Sequence, residues 1–193
     1  MSPPRFVHLQ VHSDFSMIDG IAKVKPLVKA CVENNMVAMG LTDFTNFCGL
    51  VRFYGEALSS GVKPIIGADV LVQSELCGEE RFRLTLLAKN NEGYKNITLL
   101  LSKAYERGYA DVPYIDQQWL VEHRAGVIVL SGGVNGDVGK KLLRSNTDEL
   151  KSAVDFYGVL LSNDSDPKYP FDARFLPPHV LAADSYINAA HGT

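Results

Sequence analysis

The chain has 193 residues, enough for one domain or for one domain followed by a tail. Hydrophobic residues make up 46% of it, which excludes a globally disordered protein. The formal net charge is -3 and both signs are mixed along the sequence, so composition does not support direct binding of this segment to DNA phosphates.

Cysteine usage and hydropathy favour a soluble protein in a reducing compartment. Cys31, Cys48 and Cys77 are far apart and form no CxxC pair, which argues against both a disulfide framework and a thiolate zinc site. Residues 1–20 contain no long apolar run of the kind that a signal peptide needs. No segment reaches the roughly 18 apolar residues of a membrane span. We therefore expect a cytoplasmic protein that does not associate with membranes.

The first part of the chain predicts strands that alternate with helices. Apolar and polar residues alternate over 6–12, which predicts a strand, and a loop over 13–20 follows it. The next predicted elements are a helix over 21–34, a buried strand over 36–42, a helix over 50–59 that Gly61 ends, and a strand over 63–69.

The second part continues the same alternation. The predicted elements are a strand over 81–89, a turn over 91–93, helices over 94–107 and 116–123 with Asp116 as the N-cap of the second, a strand over 126–131, and helices over 136–144 and 147–160. Strands that alternate with helices imply βαβ crossovers, so the pattern predicts an α/β fold with a mainly parallel sheet or barrel.

Polar side chains follow several of the predicted strands, where ligands gather in such folds. These positions are His12, Asp14, Asp43, Asp69, Ser131 and Asp137. Carboxylates and an imidazole in one place could hold Mn, Mg or Zn. His8 lies on the same face of the first predicted strand as His12. Asp and Ser after strands are also common N-caps and turn residues, so this ordinary role stays open.

Two other site types find no support. Gly132, Gly133 and Gly136 lack the Lys and Ser/Thr of a phosphate-binding loop, since Lys140 comes too late in the chain. Ser131 lies outside any GxSxG motif. An independent nucleotide-binding domain and a serine hydrolase are therefore disfavoured.

Five blocks, taken together, resemble one family. The blocks, in chain order, are residues 6–20, 41–49, 61–69, 87–96 and 130–133. They are similar to the polymerase and histidinol phosphatase (PHP) domain at the N-terminus of bacterial DNA polymerase III alpha subunits, and the residues in the first two blocks are typical of proteobacterial members. The resemblance implies a distorted (β/α)7 barrel, incomplete in this chain, whose strand ends can hold a trinuclear metal cluster. Active members hydrolyse phosphoesters, and in some polymerases they proofread.

The chain departs from the metal-binding pattern of active members. Their His-x-His block reads Gln10-x-His12 here, their Asp-His block reads Asp43-Phe44, and the shorter Asp69 replaces a Glu. An amide is a poor substitute for imidazole and a phenyl ring cannot ligate a metal. The resemblance therefore implies a vestigial metal site with no catalytic residue, made of His8, His12, Asp14, Asp19, Asp43 and Asp69. Mn, Zn or Mg would bind only if that site were active.

The resemblance also implies how the chain is divided and used. We expect residues 1–157 to form a partial PHP domain and residues 158–193, which match no family block, to be a divergent tail from a truncated or shifted reading frame or an engineered end. The polymerase palm is absent, so the chain is not expected to act as the DNA-directed DNA polymerase, a nucleotidyltransferase, that its parent is.

Two hypotheses remain. In the first, the chain serves DNA replication as a non-catalytic structural and docking module for the proofreading exonuclease subunit. Its other partner is the rest of the polymerase III core, and it meets DNA only through missing parts of its parent. In the second, it is a metal-dependent phosphoesterase or a 3′–5′ proofreading nuclease that uses the six candidate ligands.

Overall fold

A computed structural model describes residues 6–73, 80–107, 112–144 and 147–162. The chain divides into two compact units, residues 1–136 and 137–193. Helices and strands alternate along the first unit, and the α/β class predicted from the sequence is confirmed. None of the helices in the described ranges is both long and apolar enough to cross a membrane.

The first unit contains most of the regular structure. Its elements are α1 (Val24–Glu33), β1 (Ala38–Leu41), α2 (Leu50–Ser59), β2 (Lys63–Gln73), β3 (Arg81–Ala88), α3 (Asn91–Glu106), β4 (Ile115–Asp116), α4 (Gln117–Glu122) and β5 (Val127–Leu130). The second unit contains α5 (Asp137–Leu143) and α6 (Thr147–Ser162). The tail expected over 158–193 overlaps the end of α6, and its residues 163–193 lie outside the described part of the chain.

The sheet has the order β1-β2-β3-β5, with β4 paired to β2. β1 and β4 run parallel to β2, whereas β3 runs antiparallel to both β2 and β5. In the β2–β3 pair, Asp69 lies opposite Thr85 and Leu71 lies opposite Arg83. This register brings polar residues of two strands next to each other.

Side chains of β2 and β3 alternate between two faces because successive residues of a strand point in opposite directions. One face is apolar and buried: Ala68, Val70, Val72, Phe82, Leu84 and Leu86. Helix α3 packs against these two strands through the buried Ile97, Leu100, Leu101 and Ala104. The opposite face carries Asp69, Thr85 and Arg83. Burial of the first face thus fixes the orientation of the second.

A second apolar cluster anchors β1. Helices α1 and α2 pack together, and their buried residues join those of the strand: Val24, Val28, Cys31, Met39, Leu41, Phe53, Ala57 and Val62. Each large side chain buried completely in this way contributes about 1.5–3 kcal/mol. Loops that follow β1 and precede α1 are therefore attached to a rigid base.

The prediction of a strand over 6–12 was wrong. This segment forms only an isolated parallel bridge between His8 and Met39, and it bends at Leu9. Further along, the Val11 N–H donates to the Thr42 hydroxyl at 3.1 Å, so a side chain takes a donor that a regular ladder would use. The segment nevertheless runs beside β1, because the Thr42 N–H donates to the Val11 carbonyl at 2.9 Å.

Three smaller predictions also differ from the structure. The turn predicted over 91–93 is the first turn of α3, because the Asn90 side chain caps that helix by accepting from the Gly93 N–H at 2.9 Å. Asp116 precedes α4 as predicted, but its carboxylate makes no capping bond and pairs with Arg107. The short strand β4 was not predicted at all.

Candidate metal centre

Two of the candidate carboxylates, Asp19 and Asp69, converge on the His12 imidazole, so three of the six candidate ligands lie together. Nδ1 of His12 lies 2.7 Å from Oδ1 of Asp19, and Nε2 of the same ring lies 2.8 Å from Oδ2 of Asp69. A neutral imidazole carries one N–H, so only the protonated ring donates to both carboxylates. The ring therefore links the loop before α1 to strand β2 through both of its nitrogens.

Asp69 is fully buried, and both of its carboxylate oxygens accept hydrogen bonds from protein donors. Oδ2 accepts from Nε2 of Gln10 at 2.6 Å and from His12, while Oδ1 accepts from the Thr85 hydroxyl. Thr85 is placed for this bond by its register opposite Asp69 on the neighbouring strand. Gln10 thus satisfies a lone pair that a metal would otherwise use.

Asp19 lies in the loop over 13–20, which turns tightly. Oδ1 accepts from the Ser16 hydroxyl at 2.8 Å, and that hydroxyl accepts from the Phe44 N–H at 2.9 Å. Met17 has a φ of 62°, a conformation that non-glycine residues rarely adopt. A β-carbon on Gly20 would lie 1.7 Å from the Ser13 carbonyl oxygen. This loop is therefore tightly packed, and its packing holds Asp19 against His12.

Arg83 projects from β3 onto the same face as Thr85. Its Nη1 lies 3.2 Å from Oδ2 of Asp19, and its Cζ lies 4.9 Å from the centre of the Phe44 ring. A guanidinium at this distance from an aromatic face is attracted by the ring electrons. Phe44, which cannot ligate a metal, therefore supports a protein cation at this point.

Asp43 is buried beside this network and has its own hydrogen-bond partners. The N–H and the hydroxyl of Ser13 donate to its carboxylate, the N–H at 2.6 Å and the hydroxyl at 2.8 Å to the second oxygen. Asp14 and His8 are both exposed, and neither shares a hydrogen bond with the carboxylates of the His12 network. The structure thus brings together His12, Asp19 and Asp69, places Asp43 next to them, and leaves His8 and Asp14 outside.

Proton affinities follow these contacts. The hydrogen bond to Asp69 is the main cause of a raised pKa of His12, with burial opposing it and the charges of Asp69 and Asp19 adding to it. Burial acts to raise the pKa of Asp19, but the Ser16 hydroxyl and His12 outweigh it, so that pKa is lowered. Burial raises the pKa of Asp43 despite the bonds from Ser13. The His12 and Asp19 shifts both favour the charged pair.

An open polar cleft lies at this network. It has a volume of about 340 Å³ and is lined by Gln10, His12, Arg83, Gly132 and Asn135. Gly132 has a φ of 71°, and a β-carbon there would lie 1.9 Å from the Arg83 carbonyl oxygen. The loop after β5 therefore approaches β3 closely and forms one wall of the cleft.

The residues in this centre do not fit a resident metal ion. Both ring nitrogens of His12 and all four carboxylate oxygens of Asp19 and Asp69 already have protein partners. Within the described ranges, no group of three or more His, Cys, Asp and Glu side chains is arranged to hold a metal.

Sequence reasoning missed four residues of this centre: Ser13, Ser16, Arg83 and Thr85. Arg83 and Thr85 alternate along β3, and pairing β3 with β2 would have placed them beside Asp69. Two other candidates lie elsewhere. Ser131 is exposed after the end of β5. Asp137 belongs to the second unit, where Lys141 lies 2.6 Å from it in an i,i+4 ion pair.

Sequence comparisons find similarity to PHP domains and to DNA polymerase III alpha subunits. The PHP domain family matches residues 8–165. DNA polymerase III subunit alpha of Pasteurella multocida is 82% identical over 157 residues, which are 81% of this chain and 14% of that protein. The Escherichia coli K12 subunit of the same name is 58% identical over 158 residues, with the same 81% and 14% coverage. The chain thus spans about a seventh of the length of these curated relatives, at their N-terminal region.

Among solved structures, an amidohydrolase from Chromobacterium violaceum with bound sulfate aligns at a TM-score of 0.38 and 16% identity. That alignment covers 84% of this chain and 51% of the other.

Proposed function

The chain belongs to the PHP domain family, and from that premise we propose that it is the N-terminal PHP portion of a replicative DNA polymerase III alpha subunit that acts without catalysis, as a structural and docking module. Its partners are the proofreading exonuclease subunit and the rest of the polymerase III core, in the cytoplasm. Contact with DNA comes through other parts of the polymerase, which agrees with the net charge of -3. Residues 158–193 form a divergent tail in this proposal.

The observation that carries the non-catalytic role is the closed hydrogen-bond network around His12. A metal-dependent phosphoesterase needs ligand atoms with free lone pairs and an open coordination position for water or substrate. Here Gln10 and Thr85 donate hydrogen bonds to the carboxylate of Asp69. Ser16 and Arg83 donate to the carboxylate of Asp19. What remains is a scaffold that ties the segment before α1 to the central strands.

An exposed apolar stripe supports the docking role. Val51, Tyr54 and Leu58 lie one turn apart on the outer face of α2, with exposed fractions of 84%, 47% and 54%. The inner face of the same helix is fixed in the core by Phe53 and Ala57. Contiguous apolar side chains on a rigid helix are typical of protein interfaces. In this proposal the exonuclease subunit covers this stripe, and substitution of the stripe residues tests that contact.

A binding experiment with the full 193-residue chain tests the docking role. We expect the wild-type chain to co-elute with the exonuclease subunit of a related proteobacterium in size-exclusion chromatography. The double variant Val51→Glu/Leu58→Glu should lose this binding, because two carboxylates would have to be buried. Leu99→Glu on α3, where the side chain is 42% exposed, is the matched control and should bind normally.

Two results would contradict the proposal. A wild-type sample that unfolds cooperatively but does not bind the exonuclease subunit would exclude the docking role. Stoichiometric Mn or Zn in the purified protein, together with hydrolysis of a generic phosphoester, would favour the enzymatic alternative.

A further inference from the structure

The carboxylate of Asp19 already lies beside a cation of the protein. Nη1 of Arg83 is 3.2 Å from Oδ2 of Asp19. A divalent cation at Asp19 would have to share this carboxylate with the guanidinium. The metal cluster implied by the family resemblance therefore has a competitor inside the protein.

We propose that Arg83 is the built-in cation of this centre, and that its guanidinium supplies at Asp19 the positive charge that a metal ion supplies in metal-binding members of the family. A guanidinium group in a protein carries a permanent positive charge, so this cation is always present. This inference concerns the centre alone and does not rest on the docking role.

Two contacts hold the guanidinium in place. Nη1 donates to Asp19 at 3.2 Å, and Cζ lies 4.9 Å from the centre of the Phe44 ring. The backbone of Arg83 is fixed by its pairing with Leu71 and by the close approach of Gly132 to its carbonyl oxygen. Phe44 thus has two effects at once, since it removes a metal ligand and supports the cation that replaces the metal.

The simpler interpretation is that Arg83 is an ordinary surface charge. Its side chain is 27% exposed and that of Asp19 is 30% exposed, and an ion pair at such exposure contributes little to stability. A surface pair would be independent of metal ions, however, whereas a built-in cation must compete with them. Metal affinity therefore distinguishes the two interpretations.

The test compares four full-length proteins: wild type, Arg83→Met, Arg83→Lys and the double variant Arg83→Met/Asp19→Asn. Binding of Mn²⁺ is measured by calorimetry, and the melting midpoint is measured with chelator and with saturating MnCl₂. We expect Arg83→Met to bind Mn²⁺ at least about tenfold more tightly than wild type, because Oδ2 of Asp19 loses its cationic partner. Mn²⁺ should also raise its melting midpoint.

The remaining variants show whether the charge or the shape of the side chain at position 83 excludes Mn²⁺. Arg83→Lys keeps the charge, so it should bind Mn²⁺ as weakly as wild type, and the double variant should lose the affinity gained by Arg83→Met. Equal Mn²⁺ affinity of wild type and Arg83→Met would overturn the proposal. So would tight binding by Arg83→Lys, which would mean that side-chain shape excludes the metal. If Arg83→Met does not fold in chelator, refolding on addition of Mn²⁺ supports the proposal and failure to refold overturns it.

Discussion

The side-chain amide of Gln10 donates a hydrogen bond to Oδ2 of Asp69 over 2.6 Å. Because that carboxylate is buried, we expect Gln10→Ala to lower the free energy of unfolding by about 1–2 kcal/mol. Urea denaturation followed by circular dichroism measures this change. Gln118→Ala is the control, since Gln118 lies on the exposed side of α4 and should change stability by less than about 0.5 kcal/mol. Equal effects of the two substitutions would contradict a role for Gln10 in the network.

Asp69 should be the most sensitive residue of the centre. Asp69→Asn preserves the size of the side chain but removes the charge that Gln10, His12 and Thr85 all contact. Breaking a buried ion pair from one side costs about 3 kcal/mol, so the melting midpoint should fall by several degrees. Asp14→Asn, at an exposed position, should leave it nearly unchanged. A stable Asp69→Asn protein would mean that the network is not structural.

Stability should depend on the protonation of His12. Its pKa is raised in the folded state by Asp69 and Asp19, so its contribution is complete below the unfolded value of about 6.5 and is lost as pH rises through the raised pKa. We therefore expect this part of the unfolding free energy to decrease with rising pH above about 6.5.

Chemical denaturation at a series of pH values measures this slope, and His12→Gln should remove it. His8→Gln, which changes an exposed histidine outside the network, should keep it. A slope that persists in His12→Gln would assign the dependence to another group.

The loop over 13–20 has no space at Gly20. A β-carbon there would lie 1.7 Å from the Ser13 carbonyl oxygen, so Gly20→Ala must displace the loop that carries Asp19. We expect a loss of about 2 kcal/mol or more of unfolding free energy.

Gly55→Ala is the opposite case and the matched control. Gly55 lies within α2, and no heavy atom lies within 4 Å of the place that a β-carbon would take, so alanine should stabilise the helix by about 0.5–1 kcal/mol. Thermal melting of both variants checks the pair, and destabilisation by Gly55→Ala would show that backbone flexibility is required there.

Local signals explain which elements could be predicted from the sequence. The bounds of α2 agree with the prediction of 50–59, because its apolar spacing is regular and Gly61, with a φ of 73°, follows its end. The segment over 6–12 has the alternation of a strand, but the Thr42 hydroxyl intercepts the Val11 N–H. That contact joins distant parts of the chain, so no local pattern indicates it.

The centre was predictable only in part for the same reason. His12 and Asp69 follow or lie in predicted strands, and the family resemblance adds Asp19, so three members of the network were among the candidates. Arg83 looked like one polar position in an alternating strand. Its role depends on the antiparallel register of β3 with β2 and on the Phe44 ring beneath it, both of which are tertiary features.

The hydroxyl of Ser16 accepts from the Phe44 N–H at 2.9 Å and donates to Asp19 at 2.8 Å. The Phe44 amide hydrogen is therefore covered by the loop over 13–20, and deuterium can replace it only when that loop lifts. The exchange rate of this single amide therefore measures how often the loop opens in the native protein. The measurement reports the dynamics of the centre without a substrate, an added ion or a substitution.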